Sequence, residues 1–201
     1  MTPEQLKSSI LQYAIQGKLV EQRSEEGTGE ELFAQIQEEK KRLIAEKKIK
    51  KEKPLPEITE DEKPFDIPES WIWVRLSQIW SILNGDRGKN YPSQKEIITS
   101  GGIPFVNAGH LNGRAIEFEA MNYITPEKYE KLNSGKFQQN DILYCLRGSL
   151  GKKALINDNI YGAIASSLVI IRPNLEKVRP QYLMLALETP LIKEQLFKFN
   201  N

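Results

Sequence analysis

Residues 144–156 read YCLRGSLGKKALI, and the interpretation of this stretch decides what kind of protein the chain can be. An apolar run reaches Arg147, Gly148 and Gly151 bracket Ser149, and Lys152 and Lys153 follow. A nucleotide-gripping loop of the Walker type needs Gly, four residues, then Gly-Lys and a hydroxyl residue. Here the first diagnostic position is Leu146, and Lys152 is followed by Lys153, which has no hydroxyl for a magnesium ion. Both positions fail, which leaves a tight hairpin between strands 142–146 and 153–156 with a basic, glycine-softened turn.

The surrounding sequence has the same texture. From Trp71, WIWVRL alternates, with Ile72, Val74 and Leu76 on one side. IPFV, IEF, MNYI, DILYCL, KALI and SLVIIRP are short apolar runs separated by Asn, Gly and Asp, the pattern of a sheet-rich domain. Residues 76–83 fit either a helix or two short pieces. Thr125-Pro126-Glu127 opens a short helix that Gly135 closes, and two more helices start near Pro180 and Pro190.

The N-terminal part differs. Thr2, Pro3 and Gln5 form a helix start with a capping box, and Leu6, Ile10, Tyr13 and Ala14 share one face before Gly17. Thr28 and Glu31 repeat the signal for a long helix running to about Lys51, with a narrow stripe of Leu32, Phe33, Ile36, Leu43 and Ile44. Such a helix needs something to lie against, either the first helix or a partner chain. The expected fold class is α+β: a helical hairpin over 1–53, a linker over 54–70 rich in proline and acids, and a sheet-rich domain with flanking helices over 71–201.

Bulk properties narrow the class. A hydrophobic content of 39% over 201 residues suits a globular chain able to bury a core. One cysteine, Cys145, permits no intrachain disulfide and points to a reducing compartment. The start MTPEQLKSSI lacks a basic segment followed by an apolar core, and no window holds the ~18 apolar residues of a membrane span. A cytoplasmic protein without membrane contact is expected. The net charge of +1 conceals a basic run over 40–53, which is either a solvated helix face or a surface for an acidic partner.

Enzyme chemistry finds little support. His110 is the only histidine, so a multi-histidine metal site within the chain is excluded. Cys145 lies in an apolar run, as a buried inert thiol would. Asp86 and Asp141 suit turn geometry. No metal, cofactor or catalytic residue is expected.

Three loops carry a different chemistry. NGDRGKNYPSQK (84–95) holds Arg87, Lys89, Asn90 and Tyr91; VNAGHLNGRA (106–115) holds Asn107, His110, Asn112 and Arg114; RGSLGKK (147–153) holds Arg147, Ser149, Lys152 and Lys153. Arg and Asn read guanine and adenine edges by paired hydrogen bonds, while Lys, Ser and backbone amides grip phosphate oxygens. Asp86 is the one acid in these loops. Ordinary turns would use many of the same residues, so composition leaves both readings open.

Longer stretches add a resemblance. LKSSILQYAIQGKLVEQ, EELFAQIQEEKKRLIAEKKIKKEKPLPEI and PFDIPESWIWVRLSQI resemble the N-terminal end of specificity subunits of Type I restriction-modification systems. NGDRGKNYPS, IPFVNAGHLN, SGKFQQNDILYCLRGSLGK and GAIASSLVIIRP resemble one of their target recognition domains. The resemblance implies a non-catalytic subunit that reads one half of a split site on double-stranded DNA. It assembles with a methyltransferase subunit, which methylates adenine using S-adenosylmethionine, and with a restriction subunit. Such subunits carry two recognition domains. The single domain here implies a fragment, which is favoured, or a half-length subunit that pairs with a second copy. The resemblance also implies that the N-terminal helices dock on the methyltransferase subunit, with Leu32, Ile36 and Leu43 in that contact or in packing within the chain.

Overall fold

A computed structural model, describing residues 1–51, 53–174 and 178–198, gives an α+β fold in two compact units. One comprises residues 1–80 with the C-terminal stretch from 174; the other comprises 81–173. The helices are α1 (Pro3–Ile15), α2 (Gly29–Ala45), α3 (Leu76–Ile79), α4 (Pro126–Lys131), α5 (Pro180–Ala186) and α6 (Pro190–Lys198). The strands are β1 (Trp80–Asn84), β2 (Ile103–Val106), β3 (Tyr123–Ile124), β4 (Lys136–Phe137), β5 (Ile142–Cys145), β6 (Lys153–Leu155), β7 (Gly162–Ile164) and β8 (Leu168–Pro173).

In the helical unit, both expected capping boxes form. The Gln5 amide donates to Thr2 Oγ1 at 3.2 Å, and the Glu31 amide donates to Thr28 Oγ1 at 3.2 Å. The second helix, however, stops at Ala45 instead of reaching Lys51. Lys47 adopts φ 58°, and the Lys48 amide turns back to the Leu43 carbonyl at 2.9 Å, a Schellman-type ending that closes the helix. The two helices do not form the expected pair. α1 lies on α5, with an ion pair between Lys7 and Glu188. α2 lies on α3, where Gln37 Nε2 donates to the Gln78 carbonyl at 2.9 Å and Lys40 Nζ to the Ser77 carbonyl at 2.7 Å. Ile36 is buried, so it serves packing within the chain and is withdrawn from the partner surface; Leu32 stays exposed.

The stretch 54–70 is strapped down by one side chain. Arg75 donates to the carbonyls of Pro56 and Glu57 and grips the Glu62 carboxylate at 3.0 and 2.9 Å. WIWV, expected to be a strand, forms none: residues 71–74 run outside any ladder, followed by α3 and β1.

The other unit contains two four-stranded sheets, ordered β1-β8-β5-β6 and β3-β2-β7-β4. The hairpin expected at 142–156 is present, with Ile142 opposite Leu155 and Tyr144 opposite Lys153 in antiparallel register. β5 also pairs antiparallel with β8, from Ile142–Ile171 to Cys145–Leu168. In the second sheet β2 runs parallel to β7, with Phe105 beside Ala163 and Val106 beside Ile164. The core gathers Val106, Phe137, Leu143, Cys145, Ile164, Leu168 and Ile170. IEF (116–118) forms only a single bridge, Ile116 to Leu111. Helix α4 ends before Gly135, which serves a close approach of two backbones instead. At φ 77°, a Cβ there would lie 2.7 Å from Gly85 Cα, so only glycine lets these chains meet.

One buried ion pair fastens the first sheet. Asp141, wholly inaccessible, accepts from Arg172 Nε and Nη2 at 2.7 Å each and from the Gln138 amide at 2.8 Å. Burial pushes the Asp141 carboxyl above its ordinary value, against the pull of Arg172. Replacing Arg172 with Leu strands that carboxylate, and urea denaturation should read a loss of about 3 kcal/mol. A second prediction concerns the strap. The Arg75 guanidinium, followed by the Thr59 amide, lowers the Glu62 carboxyl to about 2. A depressed folded-state value means that the strap's contribution is present above the ordinary carboxylate range and is lost as pH falls through about 2. A carboxyl NMR titration should place the Glu62 midpoint there, and Arg75→Ala should return it toward 4.5.

Candidate nucleic-acid interface

The three loops singled out from sequence meet at a fourth, residues 165–167, between β7 and β8. Arg87 Nη2 reaches the Ser166 carbonyl at 3.4 Å, and the Ser166 amide lies 3.5 Å from Tyr91 Oη. The Leu146 amide donates to the Ser167 carbonyl at 3.1 Å, and the Ala165 amide to the Val106 carbonyl at 2.8 Å. Across the other side, Lys152 Nζ approaches the Ala108 carbonyl at 3.5 Å, the Gly113 amide donates to Lys153, and the Leu155 amide donates to Arg114. Arg87, Asn107 and Arg147 thus belong to one continuous cluster of loops. Ser166 and Ser167 were missed in the loop reading; a small polar pair between two apolar runs was the available signal.

The loop residues divide into anchors and free groups. Asp86 is the main anchor of 84–91. Its carboxylate accepts from the Asn133 amide at 2.9 Å and the Gly88 amide at 2.8 Å, and these bonds, Asn133 foremost, hold its pKa below the ordinary value. Tyr91 stacks edge-on against Phe105, 5.8 Å between centroids, in a core of Ile124 and Ala163, with Asn90 half-buried beside it. Tyr91 therefore supports the loop and is not free to stack on a base. Asn107 spends Oδ1 on the Gly109 amide at 2.7 Å. His110 is buried, its Nδ1 accepting from the Asn107 amide at 3.1 Å and its Nε2 3.3 Å from the Ala120 carbonyl. Lys153 is buried within β6. His110 and Lys153 are corrected from candidate contacts to structural residues: a ligand at the surface reaches neither. Asn112 Oδ1 accepts from the amides of Arg114 and Ala115 at 3.0 and 2.9 Å. Bidentate reading of adenine needs the amide oxygen as well as the nitrogen, so neither Asn107 nor Asn112 is poised for it.

The exposed groups of these loops include five cations. Arg87, Lys89, Arg114, Arg147 and Lys152 all reach solvent, and none makes an ion pair among the described residues. In the 40–53 run, Arg42 pairs with Glu39 and Glu46 and Lys48 with Glu46, while Lys41, Lys47, Lys50 and Lys51 make no ion pair among the described residues. In the turn 146–152, Gly148 and Gly151 take φ 79° and 84°, Ser149 is exposed, and the amides of Arg147, Gly148 and Ser149 donate to nothing among the described residues. Successive N–H groups without a protein partner, beside cations such as Arg147 and Lys152, are of the kind that bind anions. Cys145 is buried and donates to the Arg147 carbonyl at 3.0 Å, an inert anchor of the same turn. Among the described residues, no group of three or more His, Cys, Asp or Glu could hold a metal ion, and no helix is long and apolar enough to cross a membrane.

Comparison with known proteins identifies the family. The family model of the Type I restriction modification DNA specificity domain matches residues 68–201. The chain belongs to this family. It is 35% identical over 161 residues to the EcoAI specificity subunit of Escherichia coli, covering 80% of this chain and 26% of that one. It is 47% identical over 83 residues to the EcoEI specificity subunit of Escherichia coli, covering 41% of this chain and 14% of that one. The chain thus spans about a quarter or less of these relatives. The crystal structure of the HsdS subunit from Thermoanaerobacter tengcongensis shares the fold, with a TM-score of 0.50 at 19% identity, covering 83% of this chain and 39% of that one.

The division into anchors and free groups has a measurable consequence. Asp86→Ala unpins two amides and should cost about 1–3 kcal/mol, with faster hydrogen exchange at Gly88 and Asn133. Lys152→Ala, at an exposed site, should leave the denaturation midpoint within about 0.5 kcal/mol of the parent.

Proposed function

We propose that residues 71–201 act as a target recognition domain that reads one half of a bipartite site on double-stranded DNA within a Type I restriction-modification complex. In this reading residues 54–70 are the linker, and the arm 1–53 docks on the methyltransferase subunit through Leu32 and Leu43. Catalysis belongs to the methyltransferase and restriction subunits, and a second copy or a C-terminal half reads the other half-site. Family membership supports the recognition role. The observation that carries the site is the convergence of four loops presenting five cations without ion pairs, next to a turn of free amides. Such a surface offers charge and directed donors to a polyanion.

Roles follow from chemistry. Arg147, Lys152, Ser149 and the free amides of 147–149 contact phosphates, Lys89 adds charge, and Arg87 and Arg114 read base edges from the flanking loops. In the assembled complex, Arg147→Ala with Lys152→Ala should weaken binding to all DNA alike and flatten the slope of log affinity against log salt by about 0.9 per lost phosphate contact. Arg87→Ala or Arg114→Ala should relax base choice at one position, by about 1–3 kcal/mol in competition binding. Mapping methylated adenines before and after exchanging 71–201 for the equivalent segment of a relative tests the whole reading: half of the recognised site should change. An unchanged site would overturn it. Retention of the methyltransferase chain in a pull-down, with no effect of 71–201 on DNA choice, would assign the segment to scaffolding instead.

A further inference from the structure

The connection between β7 and β8 is a β-turn, closed by the Leu168 amide donating to the Ala165 carbonyl at 3.0 Å. Ala165 and Leu168 are buried, whereas Ser166 and Ser167, the two central residues, are half-buried and form the tip. The other three loops take hold of this turn through its main chain. Arg87 Nη2 lies 3.4 Å from the Ser166 carbonyl, and Tyr91 Oη lies 3.5 Å from the Ser166 amide. The Leu146 amide, next to Arg147, donates to the Ser167 carbonyl at 3.1 Å, and the Ala165 amide donates to the Val106 carbonyl at 2.8 Å. Behind the turn, a Cβ at Gly85 would lie 3.2 Å from the carbonyls of Ile164 and Ala165, so the 84–91 loop backs directly onto it.

Consecutive residues 165–167 therefore hold the bases of the three cation-bearing loops, and they span at most about 7 Å of chain. Duplex DNA is straight on that scale, with a persistence length of about 150 base pairs. A straight polyanion in contact with Arg87 on one loop and Arg147 on another lies over the turn to which both loops are fastened. Serine at the tip suits such a neighbour in two ways. It is small, so it does not hold the duplex beyond the reach of the flanking cations. Its hydroxyl donates to phosphate oxygens without carrying charge.

We infer that the tip of this turn is the floor of the DNA-binding surface, where Ser166, with Ser167 beside it, donates to a backbone phosphate lying between Arg87 and Arg147. This contact rests on the DNA-recognition role proposed above and adds to it an uncharged donor at the centre of the cationic cluster. The neighbouring loops grip the main chain of the turn, so a change of side chain at position 166 leaves their attachments in place. Loss of the hydroxyl is thereby separable from loss of the loop arrangement.

The test uses the assembled complex carrying variants of this chain. Ser166→Ala should weaken binding to all DNA sequences alike by about three- to tenfold, and it should leave the slope of log affinity against log salt unchanged, because a neutral donor releases no counterion. Ser166→Lys should steepen that slope by about 0.9. In Ser166→Cys the introduced thiol should react with iodoacetamide in the free complex and be protected by duplex DNA, as read by mass spectrometry of this chain, while Cys145, being buried, stays unmodified. Ser100→Cys is the control: it is exposed and precedes the opposite end of β2, and DNA should leave it reactive. Equal alkylation at position 166 with and without DNA would overturn the contact, as would unchanged affinity in Ser166→Ala or an unchanged slope in Ser166→Lys. Arg147→Ala with Lys152→Ala separates the two levels. If that pair loses affinity while position 166 stays unprotected, only the turn is misassigned; if neither affects nor senses DNA, the recognition surface itself lies elsewhere.

Discussion

Parallel pairing of β2 with β7 is the constraint on which the loop cluster depends. Parallel neighbours deliver their C-terminal ends to the same edge of a sheet, whereas antiparallel neighbours send them to opposite edges. With Val106 beside Ile164, residues 107–114 and 165–167 must leave the sheet together. β8 starts where the second of these loops ends, and the pairing of Leu168 with Cys145 puts the turn after β5 at that point too. Three loops are brought to one end by strand order alone. Asp86 adds the fourth, tying 84–91 to the backbone at 133 through two short bonds. No long or mobile connection is needed, which suits a surface that has to present several groups to a rigid partner at fixed spacing.

Within that cluster, stability and availability are assigned to adjacent residues. Lys152 is exposed and Lys153 is buried, one position apart: Lys152 still belongs to the turn, whereas β6, all three residues of which are buried, begins at Lys153. His110 serves the interior while Arg114, in the same loop, remains in solvent. The exposed cations repel one another, but at physiological salt interactions beyond roughly 8 Å are largely screened, so the folded chain tolerates them cheaply. A polyanion removes even that repulsion. Elsewhere Arg42, Arg75, Lys128 and Arg172 sit on carboxylates, while Lys18, Lys41, Lys50 and Lys95 make no ion pair among the described residues. What sets the loop cluster apart is that its unpaired cations sit on loops that the strand pairings bring together.

The elements with strong local signals were legible in the sequence. Both capping boxes, the β5–β6 hairpin, the β2 and β8 strands and the helices at Pro180 and Pro190 lie where caps, turns and apolar runs place them. The features missed depend on neighbours. Nothing in residues 46–51 announces that Lys47 will take a positive φ and end α2, since lysine has no preference for it. Nor does either helix's stripe show that α1 lies on α5 and α2 on α3. In the site, residue types marked the right loops but not the roles within them. Asn107, Asn112 and His110 have the chemistry to read bases, and the fold uses that same chemistry to cap turns and satisfy amides. A donor already spent inside the protein has the same one-letter code as one that is free.

Two stretches with the same texture show why pattern and partner are separate matters. YCL and KAL alternate or run apolar, lie seven residues apart, and find each other across a glycine turn. WIWV carries an equally clear strand pattern but is followed almost at once by α3, and among the described residues it joins no ladder. Alternation states that a segment can lie in a sheet, because its side chains suit a pleated surface. It does not state that the complementary strand belongs to the same polypeptide. Two tryptophans, an isoleucine and a valine are here held half-buried by side-chain contacts, Trp71 on Gln22 and Trp73 on Phe65, and not by a ladder.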